Sequence, residues 1–510
     1  MQIAKGPYLN FHAAHAEKVE EMKTLRFSNK IFIVALLCAA TTIAASAQTL
    51  TTIANFNKAD GFNPTSLAQG TDGNLYGVTY YGGVSSNCPL SPTAGCGTLF
   101  RVTTAGTLTL LYTFCSKANC ADGFNPVGNL VQGANGNFYG VTQLGGGNTS
   151  VCSEGCGTFF EITPAGQLTT LHSFCSQTNC SDGGQPIGGL MVAANGVFYG
   201  TTEGGGATNG GTVFSITSGG AFTTLYNFCA QTSCTDGSFP AAAMVQATNG
   251  KLYGSTDFGG TYNRGTIFSI STAGSFASVH TFNRGINPSP NPLIQGADGN
   301  LYGTTAQGGT YRDGTVFRLT PAGTLTYLHS FCTESGCVDG ELPYVGLAQG
   351  NDGNFYGTTS GGGRIYYAGT VFEITPTRSF STLYSFCAQT ACLDGSAAMG
   401  LMQATNGNFY GVTKDGGSDN AGTVFELSTG LGPFVEVKPG FSNAGKTVYI
   451  LGNNLTGTSS VTFNGTAATF SVISDTFMKA TVPAGATTGT IQVTTPSGTL
   501  LSNMPFHIIK

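Results

Sequence analysis

The chain has 510 residues, only 9% of them charged, with 76 glycines, 35 phenylalanines, 20 tyrosines and no tryptophan. So little charge, with a formal net of −5, excludes the basic surface that nucleic acids and anionic membranes select. Abundant Gly, Thr, Ser and aromatic residues favour short strands joined by tight turns over helices, and the predicted fold class is all-β.

Lys23, Arg26 and Lys30 precede an apolar run from Ile31 to Ile43 that ends in Ala45-Ser46-Ala47, the pattern of a cleavable Sec-type signal. Residues 1–47 are assigned to it, with Met22 opening a signal of ordinary length. An uncleaved anchor would need a run nearer to ~20 residues. Leu37 stands before Cys38 where a lipoprotein signal would carry a small residue. Removal of residues 1–47 takes away five Lys/Arg and three Asp/Glu and leaves a net charge of −7. The mature chain is predicted to be extracellular or at the cell surface, without a membrane span.

Self-similarity dominates from Thr49 to Leu427. The phrase GNLYG or a near copy places Tyr76, Tyr139, Tyr199, Tyr253, Tyr302, Tyr356 and Tyr410, and a following G-T-x-F places Phe100, Phe160, Phe214, Phe268, Phe317, Phe372 and Phe425. Seven units result, each with four strand-like runs, a to d; in the second they are residues 127–132, 137–142, 158–163 and 167–174. An Asp-Gly or Asn-Gly pair joins a to b in every unit, from Asp72-Gly73 to Asn406-Gly407, and predicts a two-residue hairpin with both residues at positive φ. A second short turn, such as Pro164-Ala165-Gly166, joins c to d. Tight turns therefore share one side of each unit and the longer b-to-c and d-to-a loops share the other.

The seventh unit ends after strand c at Leu427, while residues 49–56 (TLTTIANF) match strand d and precede the first a. The architecture predicted is a seven-bladed β-propeller over residues 48–430, its last blade completed by the N-terminal strand so that no sheet edge stays open.

Fourteen cysteines follow Cys38 and fall into close pairs. Cys115/Cys120, Cys175/Cys180, Cys229/Cys234, Cys332/Cys337 and Cys387/Cys392 share the form F-C-x-x-x-x-C-x-D-G; Cys88/Cys96 and Cys152/Cys156 lie in b-to-c loops. Where Asn57 or Asn283 replaces the first cysteine the second is missing too, so the pairs are predicted disulfides, each stabilising by roughly 2 kcal/mol. Neither spacing nor nearby histidines suggest tetrahedral metal ligation, and no metal or cofactor is predicted. Asp60, Asp122, Asp182, Asp236, Asp339 and Asp394 each precede glycine on the loop-rich side. Turn chemistry explains them, and a carboxylate ring for a cation or a sugar is the competing reading. The repeated tyrosines likewise suit packing between units or a carbohydrate platform.

No catalytic set is legible. His172, His280 and His329 occupy the strand-d slot held elsewhere by Tyr112, Tyr226 and Tyr384, which marks the slot as structural, and His507 has no partner along the chain. There is no nucleophile elbow and no repeated acid pair. Gly440 to Thr447 reads GFSNAGKT and satisfies a phosphate-loop pattern, but Thr447 opens a strand rather than a helix.

Beyond Gly430 the pattern changes to short alternating strands that suggest a small sandwich over residues 431–510: TVYILGNNL, SVTFNG, ATFSVI, MKATVP and GTIQVTTPSG. The phrases GKTVYILGNNL, VTFNGTAATF and ATVPAGATTGTIQVTTPSG resemble the IPT/TIG immunoglobulin-like domain, which implies a spacer or interaction module. The repeats, DGNLYGTTxxGG followed by GTVFxIT, resemble the Gloeo/Verruco (GloVer) tandem repeat of exported bacterial proteins over residues 49–428. That resemblance implies export and surface exposure and does not name a ligand. The leading expectation is a monomeric, non-catalytic binding or adhesion protein that holds a glycan or a surface protein. An exported carbohydrate-active enzyme, which would need two carboxylates around the axis, and a structural envelope component are the alternatives.

Overall fold

The computed structural model of the protein describes residues 48–83, 88–89, 94–147, 152–283, 291–365 and 367–509. The predicted signal, residues 1–47 with Met22 and Cys38, lies outside them. Between Thr49 and Ser428 the described residues form seven four-stranded antiparallel sheets. Six take their strands from one repeat in chain order, as Phe124–Gln132, Phe138–Leu144, Thr158–Ile162 and Leu168–Ser173 do in repeat 2. The seventh combines Ser396–Gln403, Phe409–Asp415 and Thr423–Ser428 with Thr49–Asn55. Thr49 pairs with Ser428 and Asn55 with Thr423. Helix among the described residues is limited to four three-residue 3-10 turns, each ending on the second cysteine of a stapled loop.

The repeat phrase can be read atom by atom. The a-to-b connection is not the predicted two-residue hairpin. In repeat 1, Gly73 (φ 80°) is at positive φ and Asp72 is not, while Gly73 N–H bonds to Gly70 and Gly70 N–H to Asn74. This is a longer loop closed by a left-handed glycine. The aspartate is kept because its carboxylate accepts from the Asn74 backbone, the Asn74 amide and the Tyr76 hydroxyl, at 3.1, 2.7 and 2.8 Å. The glycine after each tyrosine seats the phenylalanine of strand c: a Cβ on Gly77 would lie 2.5 Å from the Phe100 ring. The last Thr of strand b and the Thr opening strand c share a buried hydroxyl contact, 2.7 Å between Thr79 and Thr98. Strand a of repeat 2 begins three residues before the predicted Val127, because Phe124 and Pro126 pair with Leu144 and Thr142 in the register of Val127 with Val141; the register shifts only after Val127.

Three contacts interlock successive sheets. The phenylalanine closing strand d meets edge-on the strand-c phenylalanine of the next repeat: Phe114 on Phe160, Phe174 on Phe214, Phe228 on Phe268, Phe282 on Phe317, Phe331 on Phe372 and Phe386 on Phe425. Phe56, after the N-terminal strand, makes the same contact with Phe100 at 4.8 Å. Each ring is fully buried, worth ~1.5–3 kcal/mol, with ~0.5–1.5 kcal/mol more from the paired geometry. The repeat tyrosines pack across the same junctions, Tyr76 on Phe138 and Tyr302 on Phe355 at 4.1 and 3.9 Å, so the packing reading holds for them. Finally, a glutamine of strand a accepts a backbone N–H from the neighbouring repeat: Gln132 from Thr71, Gln246 from Ala194, Gln295 from Thr248, Gln349 from Ala297, Gln403 from Asn351 and Gln69 from Thr405. Val192 replaces the glutamine in repeat 3.

The C-terminal strands form a sandwich. Glu436–Lys438, Thr447–Leu451, Phe477–Thr481 and Phe470–Ser474 make one sheet, and Thr466–Ala467, Ser460–Phe463, Ile491–Thr495 and Gly498–Leu501 the other. Val448, Ile450, Val461, Phe463, Met478 and Ile491 fill its core. It abuts the tight turns between strands a and b, where Thr476 Oγ1 donates to Thr71 O at 2.7 Å and Asn453 Nδ2 to Thr405 Oγ1 at 3.0 Å. The GFSNAGKT segment contains a two-residue strand and a turn and leads into a strand, so it has no helix N-terminus for a phosphate.

Phe228→Ala is expected to cost about 3–5 kcal/mol through the cavity it leaves. Gln69→Ala is expected to cost about 1–2 kcal/mol by orphaning the buried Thr405 N–H. Urea midpoints measure both.

Candidate functional site on the loop-rich face

Seven disulfides link Cys88–Cys96, Cys115–Cys120, Cys152–Cys156, Cys175–Cys180, Cys229–Cys234, Cys332–Cys337 and Cys387–Cys392. Inside each stapled strand-d loop the aspartate is buried and consumed locally. Asp122, Asp236 and Asp394 accept from Tyr112, Tyr226 and Tyr384 at 2.8 Å, and Asp182 and Asp339 face His172 and His329 at 3.1 Å. Tyrosine and histidine are interchangeable in this slot because both present a donor to the same carboxylate. The carboxylates also accept the amide that follows the first cysteine. Burial pushes the Asp182 carboxyl up, but bonds from His172, Ser176 and two backbone amides outweigh it and hold the group below its ordinary range. Asp60 is held instead by Asn57. The aspartates thus fold their own loops, as the turn-chemistry reading expects.

Among the described residues, the exposed tyrosines of these loops fall in repeats 4 to 6. Tyr262 of repeat 4 and Tyr311 of repeat 5 sit three residues before the Gly-Thr of strand c, with 47% and 54% exposure, and Tyr367 of repeat 6, one residue later in its loop, reaches 67%. Phe239 and Phe258, both exposed, meet edge-on at 5.8 Å, and Tyr344 and Ile365 are exposed as well. Repeats 3 and 7 carry Thr208 and Asp419 where Tyr262 and Tyr311 stand. Sequence reading passed over these residues because they lie in the variable loops between the repeat phrases.

Two acid pairs adjoin the sector. Glu203 and Asp257 follow strand b in repeats 3 and 4, the position at which Tyr80 donates to Gln143 of the next repeat at 2.8 Å. Burial, and then the charge of Glu203, push the Asp257 carboxyl up to about 6, and burial also raises Glu203. Asp313 and Glu341 form the second pair, at the junction of repeats 5 and 6.

A cavity of about 650 Å³ runs along the strand-a residues and is bounded at one end by Glu436–Phe441 of the sandwich. Its walls are mainly apolar, with Leu67, Leu190, Met191, Met244, Leu347 and Met402 among them. Among the described residues of the lining Glu436 is the one carboxylate, and it pairs with Lys438 at 3.0 Å. Two carboxylates facing one another are not found among the described residues of this lining.

This geometry is that of a disulfide-stapled all-β repeat protein, its units propeller-like four-stranded sheets, with an immunoglobulin-like domain behind the tight-turn side. The family model of the Gloeobacter/Verrucomicrobia repeat matches residues 39–247 and 229–425, and the chain belongs to that family. The IPT/TIG model matches residues 434–508. None of the curated proteins matches the chain. Among solved structures it is similar to a fungal alcohol oxidase in complex with copper, with a TM-score of 0.52 and 11% identity over 91% of this chain and 100% of that one. It is also similar to a virginiamycin B lyase from Staphylococcus aureus with quinupristin, with a TM-score of 0.49 and 13% identity over 75% and 99%. At such identities the likeness concerns fold alone.

The raised Asp257 carboxyl fixes a sign. Its folded value, about 6, lies above an unfolded value near 3.9, so the folded state binds the proton more tightly and stability falls as pH rises from about 4 to 6. Asp257→Asn should therefore stabilise the protein at pH 7.5, by about 1–3 kcal/mol, and make no difference at pH 4. Thermal melts of both proteins across this range decide it.

Proposed function

We propose that the seven sheets close into a ring, a seven-bladed propeller of residues 48–430, and that the protein is an exported monomer that binds a glycan through its loop-rich face. In this reading residues 1–47 direct export and residues 431–510 space the propeller from its attachment. Ring closure is supported by the strand pairing of Thr49–Asn55 with Thr423–Ser428 and by recurrence of the phenylalanine and glutamine interlocks between repeats 7 and 1. An extracellular setting is supported by seven disulfides, which reducing compartments do not maintain.

The observation that carries the binding reading is the arc of Tyr262, Tyr311 and Tyr367. Three large rings at 47–67% exposure on successive repeats form an apolar surface with polar tips, suited to stack on the C–H faces of sugars while hydroxyls bond outward. Asn263, Arg264, Arg312 and Arg364 stand next to them in the same loops and supply donors. Rings held on a rigid scaffold bind at little ordering cost.

On a glycan array the purified, oxidised protein should retain a discrete set of polysaccharide fragments, and Tyr262→Ala/Tyr311→Ala/Tyr367→Ala should lower retention at least tenfold with the circular dichroism unchanged. Equal retention by the triple variant would refute the reading. A second reading, an exported carbohydrate-active enzyme, draws on the Glu203–Asp257 pair, since a carboxyl titrating near 6 can serve as a general acid. Release of reducing ends from any retained glycan, abolished by Asp257→Asn, would move the assignment there.

A further inference from the structure

The cavity along strand a differs in character from the loop-rich face. Its wall is aliphatic all the way round the repeats: Leu67, Val131, Met191, Met244, Leu293, Leu347 and Met402 line it, one from each of the seven. Its volume of about 650 Å³ falls within the ~300–1,000 Å³ of small-molecule sites and is too small for a folded partner. The three methionines are unbranched and can adapt to the shape of an occupant.

The polar side chains on the lining are already committed. Thr65 and Ser66 donate to the carbonyls of Val78 and Gly128, Asn129 donates to that of Leu190, and Tyr410 to the Glu426 carboxylate. Gln246 accepts the Ala194 N–H and donates to Gly250 O. Glu436 and Lys438 neutralise each other. A water molecule in the cavity therefore finds few side-chain partners, so an apolar molecule displaces it favourably. An ion finds no net charge among the described residues of the lining.

A departure from the repeat pattern points the same way. Six repeats carry in strand a the glutamine that accepts a backbone N–H from the neighbouring repeat, and repeat 3 carries Val192 at that place. Val192 is 36% exposed and lies on the lining with Leu190 and Met191. Repeat 3 thus gives up a hydrogen bond that interlocks the scaffold and gains an exposed aliphatic side chain on the cavity wall. The exchange favours the cavity at the expense of the junction.

We propose that this cavity binds a small uncharged apolar molecule, aliphatic or aromatic, against the wall formed by Leu190, Met191 and Val192. None of the three tyrosines of the loop-rich arc is on the lining, and the site stands whether or not that arc holds a glycan.

Titration of the purified, oxidised protein with N-phenyl-1-naphthylamine, an uncharged probe whose emission rises in apolar surroundings, tests it. One equivalent should bind, with a dissociation constant on the order of 10⁻⁵ M for a ligand of this size. Val192→Gln restores the residue of the other repeats, so it should weaken binding about tenfold while leaving the urea midpoint at or above that of the parent. Met191→Gln, beside it on the wall, should weaken binding as well. Tyr262→Ala/Tyr311→Ala/Tyr367→Ala and Phe258→Ser should bind the probe as the parent does, which separates the cavity from the exposed rings of the loop-rich face. No saturable emission, parental affinity in Val192→Gln or Met191→Gln, or loss of binding in either loop-face variant would each overturn the proposal.

Discussion

Everything in the repeat region depends on one aromatic contact, the phenylalanine that ends strand d set edge-on against the strand-c phenylalanine of the next repeat. The second ring fits because the residue beneath it is always glycine, and the first is in place because strand d follows a tight turn of fixed length. A single four-stranded sheet has two faces to cover and little core of its own. The phenylalanine pair supplies that core from outside, so each repeat is completed by its neighbour. Tyrosine and glutamine then set the angle and register of the junction.

This division of labour separates the residues that hold the fold from those free to vary. Phe, Tyr, Gly and Thr of the repeat phrase all point into junctions or turns, which is why they recur. The b-to-c and d-to-a loops meet at the junctions through backbone bonds, such as Phe239 N–H to Gly210 O and Leu342 N–H to Asp313 O, which ask little of side-chain identity, and the disulfides, with the buried aspartates beneath them, fix these loops locally. Variation is therefore tolerated there, and there the exposed tyrosines and unusual acids are concentrated.

Much of the fold was legible in the sequence because repetition supplies its own alignment. Strand count, the match of TLTTIANF to strand d and the cysteine pairs could be read by comparing one unit with another. The turn type could not, since Asp-Gly serves both two-residue and longer hairpins, and only the side-chain bonds of Asp72 to Asn74 and Tyr76 select between them. The glutamine interlock was in view yet silent, because a polar residue in strand a has no meaning until its neighbour's amide is placed. The loop-face site was hidden for the opposite reason. Tyr262, Tyr311 and Tyr367 differ in loop context, and Asp313 and Glu341 are 28 positions apart, so the comparison that revealed the scaffold averaged them away.

The pairing of Thr49–Asn55 with Thr423–Ser428 also dictates an order of events. Each of the fourteen described cysteines finds its partner within eight residues, so covalent cross-linking can proceed as each loop emerges and needs no long-range search. The first strand of the sheet region must wait for the seventh repeat, and joining ends so distant carries the largest loop-closure cost in the chain. Oxidation is local and early, the final strand pairing is global and last, and a chain stopped anywhere between leaves an apolar strand exposed for another molecule to claim.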